Sequence, residues 1–295
     1  MCSLTHTGGA YVTGTSTAEV FDGSVLAATN DVIVATINYR LGVFGFLNLG
    51  TDDAPGNMGM LDQVMAIQWI KDNIAHFGGD PNSITLFGES AGGGSVSAHL
   101  LSPMSRNLFK RAILQSGSLN APWSFVPTDI ARRYAKEIVH SVGCDEHLPD
   151  GSDDIPAIMN CMRYTDARNI SRNQMMGLSE AIFPWVPTVD GTFLNDTPVN
   201  LLKNGNFSDK EILAGSTRDE GTIFSLTHTF QGCSIMKLTI SLGSLMVLFL
   251  FVDQFSKDHS TNVTKEQFSH MVDKYFERSS DLERKAIKFL VGYGS

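Results

Sequence analysis

The run Ile84-Thr-Leu-Phe-Gly-Glu-Ser-Ala-Gly92 restricts what this chain can fold into more than any other stretch. A β-branched, apolar strand leads straight into Gly88-x-Ser90-x-Gly92, and the small residues from Gly93 to Leu101 open a helix. A strand that turns sharply into a helix holds a serine hydroxyl out beyond the end of a sheet, where it can act as a nucleophile. Glycines at 88 and 92 let backbone pass where a Cβ would collide. With 27 glycines in the chain the triplet alone is weak. Its place between strand and helix makes it specific.

The flanking sequence supplies the rest of such a sheet. Asp31 to Asn38 is a nearly continuous β-branched run and reads as a buried parallel strand. Asn57 to Phe77 has the apolar spacing of an amphipathic helix, ended by Gly78-Gly79. Ser83–Phe87 and Arg111–Gln115 are further strands, and Thr128–Val142 a helix with Asp129 near its start. Trp185 to Gly191 reads as an edge strand and turn, because Pro187 cannot donate to a ladder. Glu211–Gly215 reads as a buried strand followed by an Arg218-Asp-Glu-Gly221 loop. This alternation predicts an α/β protein with a doubly wound, mostly parallel sheet, whose functional side chains gather outside the carboxyl ends of the strands.

Composition narrows the class of function. The chain of 295 residues is 42% hydrophobic and 18% charged, as an ordinary globular protein is. A net charge of −9 argues against nucleic acid as a partner, since a phosphate backbone needs a basic surface. The same acidity suits a cationic substrate, although on charge alone solubility is the stronger explanation. Cys2, Cys144, Cys161 and Cys233 show no metal-ligand spacing, and neither a metal nor a cofactor is expected. Cys144 and Cys161 bracket a polar loop of the kind a disulfide closes in an oxidising compartment. Acceptor triplets at Asn169, Asn195, Asn206 and Asn262 point the same way, while no signal peptide is visible at Met1. From Cys233 to Val252 only Lys237 is charged; the run is short for a membrane span and reads as an insertion at about 228–252.

Acyl transfer needs a nucleophile, a base, a group that orients the base, and donors for an oxyanion. Ser90 is the candidate nucleophile, and the N–H of Ala91 the first donor. The Gly8-Gly-Ala-Tyr-Val-Thr-Gly14 loop upstream is placed to supply the others. The acid should follow the serine: Glu220 is the leading choice, with Asp219 beside it and Asp190 weaker. Of the later histidines, His228, His259 and His270 each read as structural or surface groups rather than the base.

Together with Asn38-Tyr-Arg-Leu-Gly-Val-Phe-Gly-Phe46, Gly56-Asn-Met-Gly, Ile74-Ala-His-Phe-Gly-Gly-Asp-Pro81, Gln115-Ser-Gly-Ser-Leu-Asn-Ala-Pro-Trp123 and Arg218-Asp-Glu-Gly221, these segments resemble the cholinesterase branch of the type-B carboxylesterases. The invertebrate acetylcholinesterases are the nearest in pattern. The resemblance covers most of 8–227 and 253–291 and implies a partial α/β-hydrolase fold, with a mostly parallel central sheet flanked by helices. Residues 1–295 would form a partial domain of that kind, interrupted at 228–252.

Carried over, the resemblance implies Ser90 and Glu220 as catalytic residues and the N–H groups of Gly9, Ala10 and Ala91 as the oxyanion hole. Glu89 would help place a cationic choline group, Trp123 and Phe183 would limit the acyl group, and Cys144 would pair with Cys161. The substrate expected is a small-molecule ester, in the complete enzyme acetylcholine, from an extracellular or surface-anchored protein that forms a homo-oligomer.

The departures are specific. The resemblance puts the choline-binding tryptophan and the catalytic histidine outside this chain, so that little or no activity is expected of it alone. Ile223 replaces an aromatic residue. That replacement keeps a broad-specificity carboxylesterase as the alternative. A non-catalytic adhesion relative is the other rival, disfavoured by the intact Ser90 and Glu220.

Overall fold

The computed structural model describes residues 2–6, 9–146, 148, 154–174, 183–207, 209–218 and 220. By its internal contacts the chain divides into one unit from Met1 to Ser216 and a second from Thr217 onward. The predicted insertion at 228–252, Asp219, Ile223, Asn262 and the histidines at 228, 259 and 270 lie outside the described residues.

The first unit is built on a sheet of β1 (Cys2–His6), β2 (Ile33–Thr36), β5 (Ile84–Glu89), β6 (Arg111–Gln115) and β7 (Glu211–Gly215), in the order β2-β1-β5-β6-β7. Every pairing in it is parallel. A separate antiparallel pair joins β3 (Asn48–Thr51) to β4 (Ala54–Pro55). The helices are α1 (Ser24–Asn30), α2 (Gly42–Phe46), α3 (Met58–Asn73), α4 (Ala91–Leu101), α5 (Thr128–Ser141), α6 (Ile155–Tyr164), α7 (Ala167–Asn173) and α8 (Pro198–Lys203). A parallel α/β sheet of this kind is the α/β-hydrolase architecture in part, as the sequence predicts.

Burial explains the layers. Ile84 and Leu86 of β5 and Ala112 and Leu114 of β6 form one apolar cluster with Ile67, Ile70 and Ile74, and with Val96 and Leu100 of α4. These are the side chains that recur at helical spacing along α3 and its continuation. The helical turn Ile74–Phe77 extends α3 and stops at Gly78, whose φ of +81° is one a residue with a Cβ rarely adopts. A second cluster gathers Tyr11, Phe46, Met60, Leu101, Tyr134 and Trp185 with the apolar faces of α5 to α8.

One strand is added to those the sequence predicts, and two expectations are corrected. Strand β1 lies in the middle of the sheet, between β2 and β5, although Cys-Ser-Leu-Thr-His carries little β signal of its own. Its identity comes from pairing on both sides. Trp185–Gly191 forms no strand. Its backbone is held instead by the buried Asn57 side chain, which donates to Thr188 O at 2.7 Å and accepts the Thr188 N–H at 3.0 Å. Strand β7 is present but exposed, with Ile212 at 53% and Leu213 at 66%, because it pairs only with β6 among the described strands.

Cys144 and Cys161 form a disulfide that ties the segment after α5 to α6. Closing a loop of 17 residues in the unfolded chain contributes about 3 kcal/mol by chain entropy. Reducing it, or replacing both cysteines with serine, is expected to lower stability by about that amount in urea titrations.

Candidate active site

The parallel register brings the strand ends to a common edge. His6 pairs with Gly88, Glu89 with Gln115, and Gln115 with Gly215. Chain leaving β1, β5, β6 and β7 therefore emerges on one side, where ligands bind in open α/β sheets.

Ser90 stands between β5 and α4 with φ 55° and ψ −120°. That conformation is costly for a residue with a Cβ, on the order of 1–3 kcal/mol, and persists only where the surroundings enforce it. Here they do. The Ser90 N–H donates to Gln115 O at 2.9 Å, and Ser90 O accepts the Gly94 N–H at 3.0 Å. Gly88 has its missing Cβ position against the backbone of Gly92, and Gly117 has its own against Ser90 O. A Cβ on Gly93 would lie 2.8 Å from Gly117 O. The glycines are required by close backbone approach.

The Gly9–Gly14 loop follows β1 at the neighbouring position on this edge. Gly9 has φ +123°, and Ala10 and Tyr11 have φ +56° and +60°, two successive non-glycine residues in the left-handed region. Strain of this kind clusters at functional loops. Tyr11 is wholly buried, and loss of hydration pushes its hydroxyl pKa up to about 12. It therefore stays a neutral hydrogen-bonding group at any ordinary pH.

Two residues assigned to the acyl pocket meet in space. The Trp123 and Phe183 rings lie edge to face, with centroids 6.3 Å apart and planes at 82°. Both are partly buried against the second cluster. Ala91 is fully buried at the start of α4, and Glu89 is exposed at the end of β5 beside Ser90. Asn169, Asn195 and Asn206 are exposed. Glu220 belongs to the second unit, where its Oε1 accepts the Thr217 N–H at 2.7 Å.

The geometry also removes one candidate and accounts for a buried histidine. Asp190 Oδ1 accepts the N–H groups of Thr192, Phe193 and Leu194, so its carboxylate is occupied in shaping a turn. His99 on α4 is fully buried, with Nε2 2.9 Å from Gln63 Oε1 and Nδ1 2.9 Å from Ser105 Oγ. With both nitrogens engaged it does not serve as the base. Gln63 also donates to Ser95 Oγ at 3.2 Å, so this network pins α4 to α3. It carries no isolated sequence signature. Among the described residues no cluster of His, Cys, Asp or Glu could hold a metal ion.

The pattern of the carboxylesterase family matches residues 5–292. The chain belongs to the carboxylesterase family. It is 44% identical to an acetylcholinesterase of Leptinotarsa decemlineata over 289 residues, which is 96% of this chain and 42% of that protein. It is 39% identical to cholinesterase 2 of Branchiostoma lanceolatum over 282 residues, 96% of this chain and 75% of that one. The chain thus spans less than half of the beetle protein's length. The carboxylesterases are serine hydrolases of carboxylic esters. No helix of the described residues is long and apolar enough to cross a membrane.

Proposed function

We propose that this carboxylesterase hydrolyses small esters of the choline type through an acyl-serine intermediate. The Ser90 Oγ attacks the ester carbonyl, and its proton passes to a histidine oriented by Glu220. The N–H groups of Gly9, Ala10 and Ala91 hold the oxyanion as charge develops on it. The alcohol leaves with the proton, and water then cleaves the acyl-serine by the reverse sequence. The observation that carries this reading is the enforced backbone of Ser90, at φ 55° and ψ −120° on the sheet's carboxyl edge.

Trp123 and Phe183 would wall the acyl side and favour a short acyl group. Glu89 beside the nucleophile and the net charge of −9 favour a cationic alcohol. The disulfide and the exposed asparagines of three acceptor triplets suit a secreted or surface-anchored glycoprotein, and the resemblance implies a homo-oligomer as the complete form. Ile223, where the resemblance expects an aromatic ring, favours the second reading, a carboxylesterase indifferent to charge.

The two readings separate on one comparison. A choline-type site hydrolyses acetylthiocholine with a kcat/KM about tenfold or more above that for the isosteric neutral thioester, because the attraction of the cation is worth roughly 1–2 kcal/mol. Equal constants for the two would establish the broad esterase instead.

A further inference from the structure

The loop that carries Gly9 and Ala10 bonds mainly within itself. The N–H groups of Val12 and Thr13 both donate to Gly9 O at 3.0 Å. What fastens it to the rest of the unit is Tyr11. The Tyr11 carbonyl accepts the Gly42 N–H at 2.7 Å, and its ring meets Phe46 edge to face at 5.4 Å. Its hydroxyl is bonded to the buried Ser124 Oγ at 3.1 Å. The same hydroxyl rests on Gly94, where a Cβ would overlap both it and Ser124 Oγ.

Gly94 is the residue whose N–H is bonded to Ser90 O. One helical turn therefore separates the nucleophile from the seat of the Tyr11 hydroxyl. Glycine in a helix interior is unfavourable by propensity, and here it makes room for this contact. Ser124 directly follows Trp123, so the bond also reaches the turn that presents one acyl-pocket ring.

Resting on the esterase reading above, we infer that Tyr11 is the positioning residue of the oxyanion loop: its buried hydroxyl, seated on Gly94 and bonded to Ser124, fixes the Gly9 and Ala10 amides relative to Ser90. Tyr11 touches no reacting atom and acts through the backbone it carries. Phenylalanine keeps the ring packing but deprives the Ser124 hydroxyl of this partner and leaves a gap against Gly94. Misplacement of a catalytic donor by about 1 Å costs up to roughly 10²-fold in rate, whereas loss of ring packing would act on stability instead.

The test uses the 295-residue chain with Tyr11→Phe and Ser124→Ala, and Ser90→Ala as the blank. An alkyl fluorophosphonate is the probe. It forms a P–O bond to Ser90 Oγ, expels fluoride and releases the serine proton. Intact-mass spectrometry over a range of probe concentrations gives the limiting rate and the half-saturating concentration. Each variant is expected to lower the limiting rate about tenfold to 10²-fold, with the half-saturating concentration nearly unchanged and the melting temperature lowered by a few degrees at most. Amide exchange at Val12 and Thr13 should rise about tenfold or more, while Gly94 to Leu101 keep their protection.

An unchanged limiting rate in the variants of a chain that does take the label overturns the inference and leaves the esterase reading standing. A parent chain that takes no label is what a histidine outside the chain predicts and leaves the esterase reading standing, and the amide exchange at Val12 and Thr13 then decides the inference alone. Unchanged exchange at Val12 and Thr13 overturns the anchoring.

Discussion

Replacing Ser90 with alanine is expected to lower ester hydrolysis by the complete enzyme about 10⁴-fold or more while leaving the fold intact. Alanine has the same Cβ, so it meets the same constraint at φ 55° and ψ −120° and neither adds nor relieves backbone strain. The bonds that define the elbow, Ser90 N–H to Gln115 O and Gly94 N–H to Ser90 O, are made by the main chain and survive the change. Unfolding free energy should therefore move by less than about 0.5 kcal/mol. Ser90→Gly provides the internal check. It removes the hydroxyl equally but relaxes the left-handed backbone, so it should be as inactive as Ser90→Ala and more stable by about 1 kcal/mol.

The second large effect concerns packing. Gly88→Ala is expected to destabilise the first unit by about 3 kcal/mol and to abolish reactivity of Ser90 as well. The added Cβ would lie 2.8 Å from Gly92 Cα and closer still to the Gly92 carbonyl group, all of it backbone that no rotamer change can move. Either β5 shifts against β1 and β6 or the first turn of α4 opens, and both displace the serine. Gly215→Ala is the matched control. Gly215 also ends a strand of this sheet, yet among the described residues nothing lies within 4 Å of its Cβ position and its φ is not positive. That variant should retain both stability and reactivity, as denaturant titration and covalent labelling will show.

Local signals made the elbow and its flanks legible. Strand, turn, glycines and helix all lie within 84–101, so short-range sterics alone specify them. The same is true of α3 and α5, whose apolar spacing and end signals place them within a few residues of the predicted bounds. Strand β1 was hidden because its stability is borrowed from two neighbours at Ile33–Thr36 and Ile84–Gly88. Trp185–Gly191 misled because a side-chain amide from Asn57 does what a strand partner would. In β7 the apolar residues suggested burial, but no local pattern distinguishes a central strand from one at an edge.

The site divides along the same line. Ser90 and Ala91 follow from the motif itself, whereas the meeting of Trp123 with Phe183 is a long-range fact that only resemblance anticipated. Glu220 rests on chain order after β7 and on that resemblance. Tyr11 carried one unused signal: the three consecutive glycines Gly92 to Gly94 inside a helix, which predict that something else must come close to it.

Peptide mapping after treatment with a fluorophosphonate tests the central claim most directly. The account predicts one adduct per chain, on the peptide that contains Ser90, absent from Ser90→Ala and lost from Gly88→Ala. In a protein that supplies the histidine base, an adduct on any other residue, or none at all, contradicts it.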